Sequence, residues 1–241
     1  MTNSLPIFQD GVSKERLTRQ SPYSYTCNRC NRCCQHQRIR INPYEVARLA
    51  LSCGISTTEF ISQFTTENGI EILRQPDGRC VLLTEQGCGV HADRPLVCRI
   101  YPLGRHRSPT GEEHFIHVRP HPETQGVYGK EGTVADFLEA QGAEIFLSTL
   151  DRYIAFLEEL SHILESNHQI HKNRDILEEW SLVAIPGSPA LQLLDMDLAV
   201  KEYCDLHSIP IPIDVDEKLT IHLQYLEDLR KNLEVLSKSN R

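Results

Sequence analysis

No stretch of about 18 consecutive apolar residues occurs in this chain of 241 residues, so no membrane-spanning helix is expected. The N-terminal run MTNSLPIFQDGVSKERL lacks a basic start followed by an apolar segment. That argues against a secretory signal and makes the cytoplasm the expected location. Neither a GxxxxGK[ST] nor a GxGxxG segment is present, which removes the usual phosphate-cradling loops. No Ser/His/Asp or Cys/His nucleophile set stands out, so enzyme status stays open. Internal repeats and low-complexity tracts are also lacking.

Lysine is missing from Cys27 to Arg107, where all 11 basic residues are arginine against 7 acidic ones, a net of +4. From Thr133 to Arg241 the balance reverses to 9 basic against 20 acidic residues, a net of −11. An acidic C-terminal half reads as solvated helix faces and argues against nucleic acid as a partner. Charged residues make up 24 % and hydrophobic ones 40 %, the balance of a soluble globular chain able to bury its own core.

Cysteine is what the chain has in excess. All of the nine except Cys204 fall between Cys27 and Cys98. Cys53 lies in a helical pattern, and Cys53 and Cys204 read as structural thiols. The other seven form two groups. Cys27, Cys30, Cys33 and Cys34 follow the spacing CxxCxxCC, in which two intervening residues let a turn aim successive sulfurs at one centre. Cys80, Cys88 and Cys98 each follow a turn signal: Asp77-Gly78, Gly87 and Arg94-Pro95. Clustered thiols in a reducing compartment read as metal ligands rather than disulfides. Cys33 and Cys34 are neighbours, with Cα atoms about 3.8 Å apart, below the disulfide range of roughly 4.4–6.8 Å. They are expected to serve different metals, or one of them none. A cluster of thiolates is negative, and the surrounding arginines would offset it. Seven thiolates do not divide into two closed four-ligand sites. Either one site stays open, or an eighth ligand comes from His36, His91, or the run His114, His117 and His121.

The rest of the chain reads as α+β, mostly α. A small, irregular cysteine-rich part with short strands packs against a helical C-terminal part. The expected boundaries are 1–26 as an extended N-terminal segment, 27–132 as the metal-binding domain and 133–241 as the helical region. Arg38-Ile39-Arg40-Ile41 alternates like a short strand. Asn42-Pro43-Tyr44-Glu45 opens a helix that stops at Gly54, and Ser56-Thr57-Thr58-Glu59 opens a second. Residues 69–107 read as short strands and turns, and 108–132 as a loop. Helical spacing resumes at Thr133 with Asp136, breaks near Gly142 and runs on to Leu164. Further helices are expected at Asp175–Ala184, at Asp197–His207, and after Asp214-Val215-Asp216-Glu217.

The segments CNRCNRCC and CVLLTEQGCGVHADRPLVCRIYPLG closely resemble the bacterial YkgJ-like cysteine-cluster family, over about residues 25–140. That family is described as zinc- or iron-chelating and sometimes as iron–sulfur oxidoreductases. The resemblance implies Cys27, Cys30, Cys33, Cys34, Cys80, Cys88 and Cys98 as ligands. Where relatives often carry a further Cys-Pro-Gly, this chain has His121-Pro122-Glu123, so the resemblance implies His121 as the eighth metal ligand. A related cysteine pattern occurs in flagellin lysine-N-methylases, which are longer chains.

Three functions follow as expectations. The first is an iron–sulfur protein, of the 4Fe-4S type, for redox chemistry or electron transfer with a protein partner. The alternative is a zinc-binding structural or interaction module. The third is a metal-supported modifying enzyme of methyltransferase type.

Overall fold

Three helices begin where short polar side chains cap them. Asn42 accepts from the Glu45 N–H at 3.0 Å while Glu45 accepts from the Asn42 N–H at 2.9 Å, and Pro43 supplies a fixed φ at the first turn. This starts α1, Pro43–Cys53, which ends on Gly54 in the left-handed region, φ 70°. The Ser56/Glu59 pair caps α2, Thr57–Phe64, in the same way, and Thr133/Asp136 caps a later helix. Such a cap is worth about 0.5–2 kcal/mol.

The computed structural model describes residues 8–9, 12–13, 15–35, 37–66, 69–108, 110–165 and 191–239. Its order is β1 Phe8–Gln9, β2 Val12–Ser13, β3 Pro22–Thr26, α1, α2, β4 Leu83–Thr84, β5 Gly87–Cys88, α3 Leu96–Ile100, β6 Leu103–Arg107, β7 Glu113–His117, β8 Val127–Thr133, α4 Val134–Ala140, α5 Glu144–Glu165, α6 Leu191–Leu194, α7 Met196–His207 and α8 Val215–Ser239. The class is α+β, mostly α. No helix among the described residues is long and apolar enough to cross a membrane.

The chain divides into two units, each built from two separate segments. Met1–Ile39 with Arg74–Leu147 forms the first, and Arg40–Leu73 with Ser148–Arg241 the second. Thus α1 and α2 fall in the second unit although the cysteine motifs flank them in sequence.

The first unit holds the strands as antiparallel pairs: β1–β2, β3–β8, β4–β5 and β6–β7. Two differences from the sequence reading fall near here. Residues 108–132 contain β7 and most of β8 rather than one loop, because β8 pairs with β3 about a hundred residues earlier and nothing local announces that partner. Arg38–Ile41 gives only an isolated bridge, Arg40 to Glu71, in place of a strand. The core of this unit is Leu17, Tyr23, Leu103, Phe115, Val134 and Leu138. Leu17 and Phe115 exchange both backbone hydrogen bonds at 2.8 Å.

The second unit is helical, with Tyr44, Leu49, Phe60, Leu194, Met196 and His222 fully enclosed. Asp195 is buried and caps α7 by accepting from the Leu198 N–H at 3.2 Å, and it also accepts from the hydroxyls of Thr57 and Thr58. The expected Asp214 cap of the last helix is present, accepting from Asp216 and Glu217 N–H groups at 2.9 and 3.0 Å. The helix expected at Asp175–Ala184 lies outside the described residues.

His222 is fully buried, with Nδ1 2.9 Å from the Tyr153 hydroxyl. Burial pushes its imidazole down to about 3. The folded chain therefore refuses a proton that the unfolded chain takes up below about pH 6.5. No penalty exists above that pH. It grows as the pH falls towards 3, at about 1.4 kcal/mol per pH unit. Urea unfolding followed by helical circular dichroism should show about 2 kcal/mol less stability at pH 5 than at pH 7.5 from this residue. His222→Gln should remove that part of the pH slope, and an unchanged slope would exclude His222 as its source.

Candidate metal centre

The first cysteine motif coils tightly. Arg29 and Asn31 both take left-handed backbone conformations, φ 51° and 61°. Asparagine tolerates this region, but arginine there costs on the order of 1–3 kcal/mol. The two reversals lie on either side of Cys30. A 3-10 turn over Arg32–Cys34 follows, with the Cys34 N–H bonded to the Asn31 carbonyl at 3.1 Å.

Backbone bonds bring the second group to the first. The Cys80 N–H donates to the Cys34 carbonyl at 2.9 Å, beside a bridge between Gln35 and Arg79. The Asp77-Gly78 turn, with Gly78 at φ 84°, sends the chain back so that Arg74 and Cys80 also bridge. Cys88 pairs with Leu83 in the β4–β5 hairpin. At the tip of that hairpin Gly87 has φ 112°, and a Cβ there would lie 3.6 Å from Asn31 Oδ1. Cys98 rides on α3. Arg99, 8 % exposed, pins that helix by donating to the carbonyls of Gln141 at 2.7 Å and Ala92 at 2.8 Å, with its guanidinium 4.2 Å from the centre of the Phe146 ring.

All seven cysteines singled out by spacing belong to the first unit, whereas Cys53 and Cys204 belong to the second. All nine are free thiols. The Cys33 and Cys34 side chains hydrogen-bond to each other, and the Cys34 thiol, helped by Arg94, holds Cys33 below the ordinary thiol range. Cys34 is pushed up by that same bond, by burial, and by the negative charge of Cys33, Cys98 and Cys88. Burial raises Cys80 and Cys88, against N–H groups of Leu82 and Val90 that favour the thiolates. Burial also opposes ionisation of Cys30, but the Gln125 N–H, 3.5 Å from its sulfur, the Arg32 backbone and the Thr124 side chain outweigh it and lower its pKa. Tyr25 feels Cys27, Cys33 and Cys30, and Tyr101 feels Cys33 and Cys30. Cys33 stands between the two motifs: its charge bears on Cys30 and Tyr25 on one side and on Cys34, Cys80 and Cys88 on the other.

The donor set has the chemistry of a zinc or iron centre: soft sulfurs, N–H groups directed at them, and Arg94 lending positive charge to Cys33 and Cys88. Among the described residues, however, no three Cys, His, Asp or Glu groups are gathered closely enough to hold a metal ion. The sulfurs are neighbours, not a closed coordination shell.

The histidine candidates separate. His36 lies outside the described residues. His91 has Nδ1 3.4 Å from an Arg94 nitrogen, and burial, with Arg94, Arg29 and Arg99, lowers its pKa. His114 and His117 are three apart on β7, and a strand's period of two puts them on opposite faces. His117 is buried against Tyr23 and Tyr128, and its Nδ1 has no hydrogen-bond partner among the described residues. His121 opens a short segment docked on the first cysteine loop. Its N–H lies 3.2 Å from the Tyr101 hydroxyl and its Nδ1 accepts from the Glu123 N–H at 3.1 Å. The segment is tied down by Asn28 to the Gln125 carbonyl at 2.7 Å and Arg32 to Glu123 at 2.9 Å. Sequence reasoning missed Tyr25, Tyr101 and Gln125. Arg94 was foreshadowed by the Arg94-Pro95 turn signal and by the expectation that arginines offset the thiolate charge.

Arg99→Leu would strip the Gln141 and Ala92 carbonyls of a charged donor and should cost about 1.5–3 kcal/mol. It should also raise the rate at which maleimide labels Cys98. Arg79→Ala, whose partner Asp77 is at the surface, should change neither measurement appreciably. Equal effects from both variants would show that Arg99 does not pin α3.

No curated protein matches the chain, and no solved structure does. Residues 26–121 match the family model described as CxxCxxCC, putative zinc- or iron-chelating domain, a span that contains all seven cysteines and His121. Over that stretch the chain is similar to this domain, and the similarity supports metal binding.

Proposed function

We propose that the first unit is an iron–sulfur redox module with two ligand groups, Cys34, Cys80, Cys88 and Cys98 in one, and Cys27, Cys30, Cys33 and His121 in the other. The observation that carries this reading is the backbone: the Cys80 N–H is bonded to the Cys34 carbonyl at 2.9 Å, whereas the segment after His121 lies on the Cys30 sulfur through the Gln125 N–H at 3.5 Å. Docking of the His121–Gln125 segment on the Cys30 loop supports His121 as the fourth ligand of that group. An iron–sulfur cluster, when bound, supplies one-electron chemistry. The chain's own groups would tune it: N–H donors from Leu82, Val90 and Gln125 stabilise charge on sulfur, and Arg94 adds positive charge nearby.

The zinc reading keeps one argument in its favour. Three thiolates and one imidazole, beside four thiolates, would complete two tetrahedral sets of the kind structural zinc takes. Purification under anaerobic conditions separates the two. A brown protein with iron and acid-labile sulfide is the expected result, and a colourless one with stoichiometric zinc would overturn the redox reading. Cys30→Ser should lose metal while Cys204→Ser, in the other unit, retains it. Equal losses would break the partition of the cysteines.

His121 gives the sharper test. His121→Ala should lower metal content or bleach part of the visible spectrum, and His121→Cys should restore it. If His121→Ala leaves metal content and spectrum unchanged, the Cys27 group keeps an open position instead.

A further inference from the structure

The β6–β7 hairpin has two different faces. Leu103 and Phe115 on one face are in the core. The other face carries Gly104, His106, His114 and Ile116. His106 and His114 are directly opposite each other in the antiparallel register. Their rings are 13° from parallel, with centroids 5.2 Å apart. His106 is exposed and His114 half-buried. Neither imidazole forms a hydrogen bond or ion pair with another described residue.

Stacking of two rings across a ladder is worth roughly 0.2–1 kcal/mol and would by itself explain a small contribution to the hairpin. A second chemistry is open to the same pair. Opposed residues on antiparallel strands have Cβ atoms about 4.5–5.5 Å apart. A modest rotation of each side chain then lets one nitrogen from each ring approach a common ion, at about 2.0–2.1 Å for zinc. The ladder holds the two side chains together before any ion arrives, so the second ligand adds little ordering cost. Neutral imidazole selects borderline ions such as Zn²⁺, Ni²⁺ and Cu²⁺ over Ca²⁺ and Mg²⁺, which want oxygen.

We propose that His106 and His114 form a further metal site, a cross-strand bis-histidine chelate for a borderline divalent cation, separate from the thiols. The protein supplies two ligands and water completes the shell. Two exposed ligands suit an exchangeable ion rather than a permanently held one.

The test uses the full chain, purified with whatever metal its thiols retain, and Ni²⁺ as the probe. Imidazole resonances of the 11 histidines are followed by NMR as Ni²⁺ is added. His106 and His114 should broaden first and together. His106→Ala and His114→Ala should each raise the Ni²⁺ concentration at half-effect by at least about tenfold, the scale of losing one determinant of a metal site. Both variants should keep the iron or zinc content of the parent protein. Uniform broadening of all exposed histidines, or an unshifted midpoint in the variants, would leave the pair as a stacking contact only and overturn the site. Loss of iron or zinc in either variant would assign the pair to the thiol centre and overturn the separate site. Since the readout is histidine resonances, a failure of the iron–sulfur reading would leave this outcome unaffected.

Discussion

Two adjacent sulfurs that can neither bond to each other nor both ionise cheaply set the terms for the first unit. Consecutive Cα atoms about 3.8 Å apart are too close for an ordinary disulfide. Cys33 and Cys34 settle this by sharing a hydrogen, one favoured as thiolate and the other held as thiol. The charge of Cys33 bears on Cys30, Cys80 and Cys88 alike, and the N–H groups and Arg94 favour the thiolates. A cation that takes the Cys34 sulfur must displace the shared proton, so binding and proton release are coupled at this point of the chain.

The elements that could be read from the sequence are those whose causes are local. Asn42 with Glu45, Ser56 with Glu59, Thr133 with Asp136 and Asp214 ahead of the last helix all act within a few residues, and each helix starts where its cap stands. Strands have distant causes. β8, with Gly129 and Gly132 in it, reads as a loop until Pro22–Thr26 is available as its partner. The cysteine spacing was legible for the same local reason as the caps. Which sulfur meets which was not, because that depends on the Cys80–Cys34 backbone bond and the β4–β5 hairpin.

The histidines illustrate the limit more sharply. The run His114, His117, His121 looks like one ligand cluster on paper. On a strand the first two point to opposite faces, and the third sits past the strand in a segment tied to the cysteine loop. His106, separated from His114 by eight residues, turns out to be its true neighbour because the hairpin register aligns them.

Gln141 closes α4, and it receives both arginines that flank Cys98 in sequence. Its side-chain oxygen accepts from Arg94 at 2.7 Å and its carbonyl from Arg99 at 2.7 Å. Gly142, at φ 59°, turns the corner into α5. That corner is a mechanical handle on the sulfur site. Strain applied at the α4–α5 junction loads both guanidinium groups at once, one acting on the charge around Cys33 and Cys88, the other on the helix that carries Cys98. The chemistry of the thiols is thereby tied to a surface turn that contains no sulfur at all.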